Sequence, residues 1–398
     1  MSRVLIVGGS LGGLMAANVL LRAGFEVTVL EKAANTLDGR GAGIVTHRPL
    51  LDALALCGVS TDASLGVAID QRVTLDSQGK TVAKAHMPQV LTSWSRLYGL
   101  LLEALPPAMY VRGAALVSFT QDDQGVQVVC EDGRTFEGDV LIASDGIRSV
   151  VRAVVAPAVK AQYAGYVAWR GVCDEAVLSQ HTLSTVFETF GFGLPAGEQI
   201  IGYPVAGAGN SVVQGRRRYN FVWYRPAPEG QALQSLMTDA DGVHHPLGLP
   251  PNKVSWRHLA ASRLAAREKL APQFAEIMEK TAQPFLQPIY DCYSSRLAFG
   301  RVALMGDAAF VARPHVGMGV TKAAQDAVAL CSALKRYGAQ PAALSAYESQ
   351  RLIDGQAVVE RGRRLGAYMQ AAAGGQEALR DAAAVMAQTA IDLSTKPI

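Results

Sequence analysis

The chain opens with an uninterrupted apolar run at residues 4–7, which predicts a strand buried on both faces. A glycine-rich turn follows, Gly8-Gly9-Ser10-Leu11-Gly12-Gly13, and then the mostly apolar residues 14–20, which read as a helix. Residues 27–30, Val-Thr-Val-Leu, read as a second strand that ends on Glu31, with Lys32 next. Strand, glycine turn, helix, strand and acid, in that order, are the parts of a dinucleotide-binding unit. Gly8 permits the tight turn, and Gly13 lets helix and strand pack closely. The helix N-terminus directs free N–H groups and a positive dipole end at a pyrophosphate. Glu31 can accept from a ribose diol and would repel a 2′-phosphate, which points to FAD or NAD rather than NADP. Ser10 stands where the fingerprint has its middle glycine. Its Cβ enters a crowded place, although its hydroxyl can itself bond a phosphate. A signal peptide or membrane span over residues 4–21 is the competing reading. The glycines, Ser10, Asn18 and the lack of a small-residue cleavage site favour the nucleotide turn.

Beyond this unit, residues 38–44 read as a glycine-rich loop, 49–58 as a short helix and 68–87 as strands. Residues 97–105 read as a helix opened by Thr92 or Ser93 and stopped by Pro106-Pro107. Strands at 114–119, 126–131 and 135–136 are separated by turn residues, and a strand at 139–143 meets Asp145-Gly146. The middle third changes character. Aromatic, strand-like runs at 163–172, 185–192, 199–204 and 219–224 predict an antiparallel sheet. In the last run Tyr219, Phe221 and Trp223 share one face by the period of two, which means core packing for most such rings. Residues 226–288 are mixed and proline-rich, with helices near 231–238 and 271–281. A strand at 301–305 meets Gly306-Asp307, a helix follows from about Gly319 to Lys335, and the tail from Leu344 is helical and broken at Gly374-Gly375. No internal repeat is present.

Composition narrows the possibilities. The 398 residues are 49% hydrophobic and 18% charged, ordinary for a globular protein of one to three domains. The 39 glycines exceed the usual ~7%, which suits nucleotide-binding turns. A net charge of +3 gives no argument for nucleic acid, and Arg216-Arg217-Arg218 reads as a solvated loop. The cysteines at 57, 130, 173, 292 and 331 are widely spaced with no C-x-x-C. That disfavours a zinc site, a redox pair or a secreted framework, and no metal is expected. A reducing cytoplasm and a membrane-free life are the default expectation.

Three strand ends carry candidate chemistry: residues 8–13, Asp145-Gly146 and Gly306-Asp307. Ligands of open α/β sheets bind beyond the carboxyl ends of the strands. The third is followed by Arg313-Pro314-His315-Val316-Gly317-Met318-Gly319. An acid after a glycine at a strand end can bond sugar-alcohol hydroxyls, and a glycine-flanked helix start can hold negative charge such as that of a reduced flavin.

Together the three segments resemble the flavoprotein aromatic hydroxylases, the single-component FAD monooxygenases typified by p-hydroxybenzoate hydroxylase. The stretches 7–10, 41–45, 163–172, 236–239, 306–309 and 313–315 look like the dihydroxypyridine hydroxylase type, which also carries serine at the middle glycine. The resemblance runs from about residue 4 past residue 340. It implies an α/β fold with a p-hydroxybenzoate-hydroxylase-like FAD domain (a Rossmann-type ββα sandwich). This domain is interleaved with an antiparallel β-sheet substrate domain and followed by a C-terminal helical segment. The boundaries expected are 1–70, 100–160 and 290–345 for FAD, 71–99 and 161–289 for substrate, and 346–398 for the tail.

The same resemblance implies residue roles. Gly8, Gly9, Ser10, Leu11, Gly13, Glu31 and Lys32 hold the ADP half of FAD, with Asp145 beside them. Asp307 holds the ribityl chain, the Gly317–Gly319 helix start faces the isoalloxazine ring, and Arg96 lies where many relatives set an arginine against FAD. NADH or NADPH binds transiently without its own Rossmann unit, O2 forms a flavin C4a-hydroperoxide, and an electron-rich ring attacks it. His315 and His47 are the candidate polar or base contacts, against a structural reading of each. Tyr203 and Trp223 are candidates to line the substrate pocket. The substrate implied is a hydroxylated N-heteroaromatic ring of 2,6-dihydroxypyridine type. A hydroxynicotinate- or hydroxybenzoate-like acid is the runner-up, disfavoured because no pocket arginine is assignable. A non-catalytic flavin-binding protein stays open. A flavin halogenase lacks its Trp-x-Trp-x-x-Pro segment here, and a disulfide reductase its C-x-x-C. A homodimer is expected from the resemblance alone.

Overall fold

In the computed structural model, which describes residues 2–37, 43–246, 248–371 and 380–392, two large sheets meet at their functional ends. The first has six strands in the spatial order Ala298–Phe299, Val302–Leu304, Val140–Ala143, Arg3–Val7, Glu26–Glu31 and Tyr110–Arg112. All its pairings are parallel except that of the edge strand Ala298–Phe299. The centre is apolar throughout, as two-sided burial demands. Arg3–Val7, Val140–Ala143 and Val302–Leu304 are neighbours, so the three strand ends singled out in the sequence lie side by side. Helices Leu11–Arg22 and Gly319–Tyr337 pack together on this sheet, where the Cys331 thiol reaches the Val19 carbonyl.

The second sheet has nine strands, in the order Phe310–Val311, Phe285–Tyr293, Gln162–Asp174, Arg218–Pro226, Gln199–Val205, Phe190–Gly193, Val67–Leu75, Thr81–Ser93 and Gly43–Val45. Its pairings are antiparallel except Phe190–Gly193 against Val67–Leu75. Alternation divides its residues between two cores. Val167, Trp169, Tyr219, Phe221 and Trp223 pack with Phe274 and Ile277 of helix Pro272–Lys280. Tyr166, Ala168, Ile201, Tyr203, Val222 and Tyr224 form the other face, with Met386 and Ala390 of the tail. A separate antiparallel sheet, Leu116–Gln121, Val126–Cys130 and Thr135–Gly138, supplies the predicted hairpins.

Several predicted elements differ. Residues 183–187 close a helical turn rather than a strand, because the Ser184 and Thr185 hydroxyls return to the His181 carbonyl. Only Phe190–Gly193 is extended there. Helix Trp256–Lys269 and strand Phe285–Tyr293 went unanticipated. The helix is polar on most sides, with only Ser262 and Ala266 buried, so no apolar stripe marks it. Ser93 is the cap of Trp94–Glu103, its hydroxyl accepting from the Arg96 N–H. The tail forms helices Pro341–Ala371 and Ala382–Gln388, while Gly374-Gly375 and residues 38–42 lie outside the described residues. Among the described residues no helix is long and apolar enough to cross a membrane.

Candidate active site

The glycine turn borders a cleft of about 400 Å³ lined by Gly8, Ser10, Glu31, Lys32, Asp145 and Trp94, among others. Gly8 has φ +100°, and a Cβ there would lie 2.3 Å from the Ser144 carbonyl oxygen. Gly13 does not reach the cleft. It faces the turn itself, where a Cβ would stand 1.9 Å from the Gly8 oxygen. Gly9 is held from both sides, its N–H donating to Glu31 Oε2 at 2.8 Å and its carbonyl accepting the Tyr110 hydroxyl at 2.9 Å. The other Glu31 oxygen accepts from the Ala33 N–H at 2.8 Å, so this buried acid shapes the turn and also faces the cleft. Leu11 is buried beneath it.

Ser10 is the N-cap of Leu11–Arg22, yet its side chain makes no capping bond and the first turn holds no acid. The first-turn N–H groups therefore have no side-chain acceptor from the cap. Helix Val150–Val155 is capped by Ser149, and Asp145 Oδ2 accepts from the Val150 N–H at 2.7 Å. Its Oδ1 is buried without a partner, and burial raises its carboxyl above the usual carboxylate range. Arg152, which the sequence reading assigned no role, ties two strand ends together: its guanidinium donates to the Ile147 and Ala308 carbonyls. Arg96 lines neither cleft. Its guanidinium is spent on Ser64, with Nη2 to Oγ at 2.8 Å.

Trp94 joins this cleft to a second one of about 300 Å³. Its ring stacks on Tyr98 one helical turn later, centroids 4.8 Å apart, and an aromatic opening an amphipathic helix was the signal that could have found it. One side of the second cleft is the start of helix Gly319–Tyr337, with Gly317, Gly319 and Asp307. This helix also has no side-chain cap and no acid in its first turn, and a Cβ on Gly319 would meet nothing within 4 Å. The Asp307 carboxylate is half exposed and lies 3.7 Å from Lys322 Nζ, a fully buried cation with no hydrogen-bond partner.

The opposite side is the second sheet, presenting Arg170, Tyr203, Val222, Tyr224, Gln287 and Phe190. Arg170 Nη1 donates to Gln287 Oε1 at 2.8 Å, and its buried Nε has no partner. The buried Tyr224 hydroxyl also lacks one. Burial pushes the Tyr203 phenol up to about 12 and moves Tyr224 in the same direction, while the Arg170 charge opposes both shifts. Arg170 is the pocket arginine that could not be assigned from the sequence. It shares a strand face with Tyr166 and Ala168, and a lone cation inside an apolar strand was its signal.

Other expectations are not met. Trp223 lies on the reverse face, fully buried in the other core, because strand alternation sends Val222 and Tyr224 to the cleft instead. Neither histidine lines a cleft. His315 sits behind Tyr224, ring centroids 4.1 Å apart, with Nε2 3.0 Å from the Tyr166 hydroxyl. Burial, aided by Arg313 and Arg380, lowers it to about 3, so it is neutral at ordinary pH. His47 caps helix Arg48–Leu56 with its backbone, and its Nδ1 lies 2.9 Å from Thr321 Oγ1. Burial lowers its pKa too.

Two helix starts without side-chain caps, open space before Gly319 and an orphaned Asp145 oxygen fit an elongated ligand with a diphosphate and an electron-accepting ring. Comparison with known proteins agrees. The FAD binding domain family model matches residues 1–191 and 248–362, and an FAD binding domain-like model matches residues 163–291. The chain is 32% identical over 369 residues to 2,6-dihydroxypyridine 3-monooxygenase of Paenarthrobacter nicotinovorans, covering 92% of this chain and 91% of the relative. It is 31% identical to Aurachin C monooxygenase/isomerase of Stigmatella aurantiaca, over 88% of this chain and 85% of that one. The solved structure of 2,6-dihydroxypyridine-3-hydroxylase from Arthrobacter nicotinovorans superposes with a TM-score of 0.89 at 30% identity, covering 98% and 96% of the two chains. The chain belongs to the FAD-binding-domain family of flavin-dependent aromatic-ring monooxygenases.

Proposed function

We propose that this enzyme hydroxylates a single electron-rich, hydroxylated N-heteroaromatic ring of the 2,6-dihydroxypyridine kind. The overall reaction is NAD(P)H + H⁺ + O₂ + ring C–H giving NAD(P)⁺ + H₂O + ring C–OH. Bound FAD supplies the redox chemistry, accepting two electrons from NAD(P)H and delivering one oxygen atom of O₂ to the ring. Gly8, Ser10, Glu31, Lys32 and Asp145 hold the nucleotide half. Asp307, Gly317 and Gly319 hold the ring half.

The observation that carries the substrate reading is Arg170, fixed by Gln287 on the aromatic and aliphatic sheet side of the cleft, opposite Asp307, and the one cation among the described residues that line it. A guanidinium at low dielectric stabilises an ionised ring oxygen, and ionisation raises electron density on the ring carbons to be oxidised. Tyr203 and Tyr224 stay protonated and act as donors to ring oxygen or nitrogen. Neither histidine reaches the cleft, so the ring gives its proton to bulk water on entering and the Arg170 charge favours the ionised form once bound. The aromatic walls exclude water from the reacting face. The name of the 32%-identical relative supports the same substrate class.

The free Nε of Arg170 specifically favours a second reading, in which a hydroxynicotinate- or hydroxybenzoate-like carboxylate forms a bidentate pair with it. A panel of pyridine and benzene diols and hydroxy acids separates the two. Substrate-stimulated NAD(P)H oxidation with 2,6-dihydroxypyridine and none with the acids supports the first, and the reverse pattern overturns it.

A further inference from the structure

The Arg72 side chain is wholly buried, and no carboxylate pairs with it among the described residues. Four of its five N–H groups are bonded, three of them by the tail, and Nε is buried without a partner. Nη1 donates to the Met386 and Thr389 carbonyls at 2.7 and 2.6 Å, and Nη2 to the Ala390 carbonyl at 2.9 Å. Gln89 Oε1 accepts a further bond at 2.5 Å, and the Phe190 ring lies 4.8 Å from the guanidinium carbon. These carbonyls close the C-terminus of helix Ala382–Gln388, whose negative dipole end suits a cation. Arg361 grips the same turn from outside, 2.7 Å from the Gln388 carbonyl.

The clamp has a destination. Ala390 lines the aromatic cleft beside Gly317, and its N–H donates to the His315 carbonyl at 3.1 Å. It is held at φ +50°, unusual for a residue with a Cβ. Its methyl lies so close to Gly317 that a Cβ on that glycine would come within 2.6 Å of it. A strained backbone persists where its surroundings over-determine it. Burying an arginine without a counter-charge costs more with every donor left unpaired, so release of the tail, which takes three of its four bonds, would strand the guanidinium.

We propose that residues 382–392 form a wall of the substrate cleft, with Ala390 closing the ring site against water and Arg72 acting as the positioning residue that clamps it there. This rests on reading the cleft as the ring-hydroxylation site. When the wall is loose, reducing equivalents are diverted by NAD(P)H + H⁺ + O₂ giving NAD(P)⁺ + H₂O₂, with no oxygen reaching the ring.

The test compares wild type, Arg72→Gln, Arg72→Lys and Arg361→Ala as FAD-loaded enzymes. Arg72→Gln is expected to raise the peroxide share of NAD(P)H turnover several-fold and to raise KM, while FAD content stays the same. Arg72→Lys restores part of the coupling, and Arg361→Ala has the smallest effect. Deuterium exchange of residues 382–392, measured on the apoprotein as well, is expected to quicken in Arg72→Gln. Unchanged exchange overturns the clamp, and quickened exchange with wild-type coupling overturns the wall. Should Arg72→Gln fail to fold, Ala390→Gly decides: it removes the methyl at the cleft wall, and a several-fold larger peroxide share of NAD(P)H turnover is expected, while unchanged coupling overturns the wall. If no ring compound supports turnover in wild type, the substrate reading fails while the exchange experiment still judges the clamp.

Discussion

The two clefts are built on opposite principles. The cleft proposed for the nucleotide is made by backbone: glycines that tolerate no Cβ, an uncapped helix start, and one acid 22 residues away that fixes the turn. The aromatic cleft is made by side chains from many segments, including Arg170, Tyr203, Tyr224, Gln287, Asp307 and Ala390. Changes in the first should therefore cost folding and cofactor together. Changes in the second should alter what is done to the ring while the folded flavoprotein remains.

The largest effect is expected from Gly13→Ala. A Cβ 1.9 Å from the Gly8 oxygen forces the turn apart, at a cost of about 2–4 kcal/mol. The purified protein should be colourless with a lowered Tm, whereas Gly319→Ala, with open space before it, should fold normally. Equal behaviour of the two variants would break the distinction.

Asp307→Asn comes next. It keeps the side chain's shape while removing its charge, and weaker FAD retention is expected in flavin-release titrations. Asp307→Ala is a poorer probe, because it also strips space-filling atoms from beside the buried Lys322. Arg170→Met should leave FAD in place and raise KM for the ring substrate roughly 10- to 100-fold, the worth of one charged hydrogen bond. Loss of FAD instead would move Arg170 out of the substrate group.

His315 gives a pH signature. Folding holds it at about 3, below the 6.5 of a free side chain. Its stabilising contribution is complete above about pH 6.5 and is lost as pH falls toward 3, at up to about 1.4 kcal/mol per pH unit. Denaturant titrations of His315→Asn should show a shallower acid slope through that window. The smallest effect is expected of Arg96→Ala, whose contacts stop at Ser64, on FAD content.

The contrast between clefts also explains what was legible in the sequence. A backbone site is written locally, so residues 8–13, Glu31, Asp145 and Gly306-Asp307 stood out by type and order. A side-chain site depends on which face each strand turns inward. Tyr203 lines the cleft and Trp223 does not, because alternation was read correctly for residues 219–223 while the identity of the inner core was not. Arg170 stood in a quoted stretch without a role, since its meaning needs Gln287, 117 positions later. His315 lies beside the right motif, and only three-dimensional packing shows that Tyr224 screens it from the cleft. The tail wall joins residues 72 and 390, a separation that no local pattern records.

The central claim is that the aromatic cleft oxygenates a ring anchored by Arg170. Turnover of FAD-loaded enzyme with 2,6-dihydroxypyridine and NAD(P)H under ¹⁸O₂, followed by mass spectrometry of the product, tests it most directly. The account predicts a product carrying one ¹⁸O atom, formed with wild-type enzyme and much reduced in Arg170→Met at the same substrate concentration. Rapid NAD(P)H oxidation yielding only hydrogen peroxide from wild type, or equal labelled product from both enzymes, would contradict it.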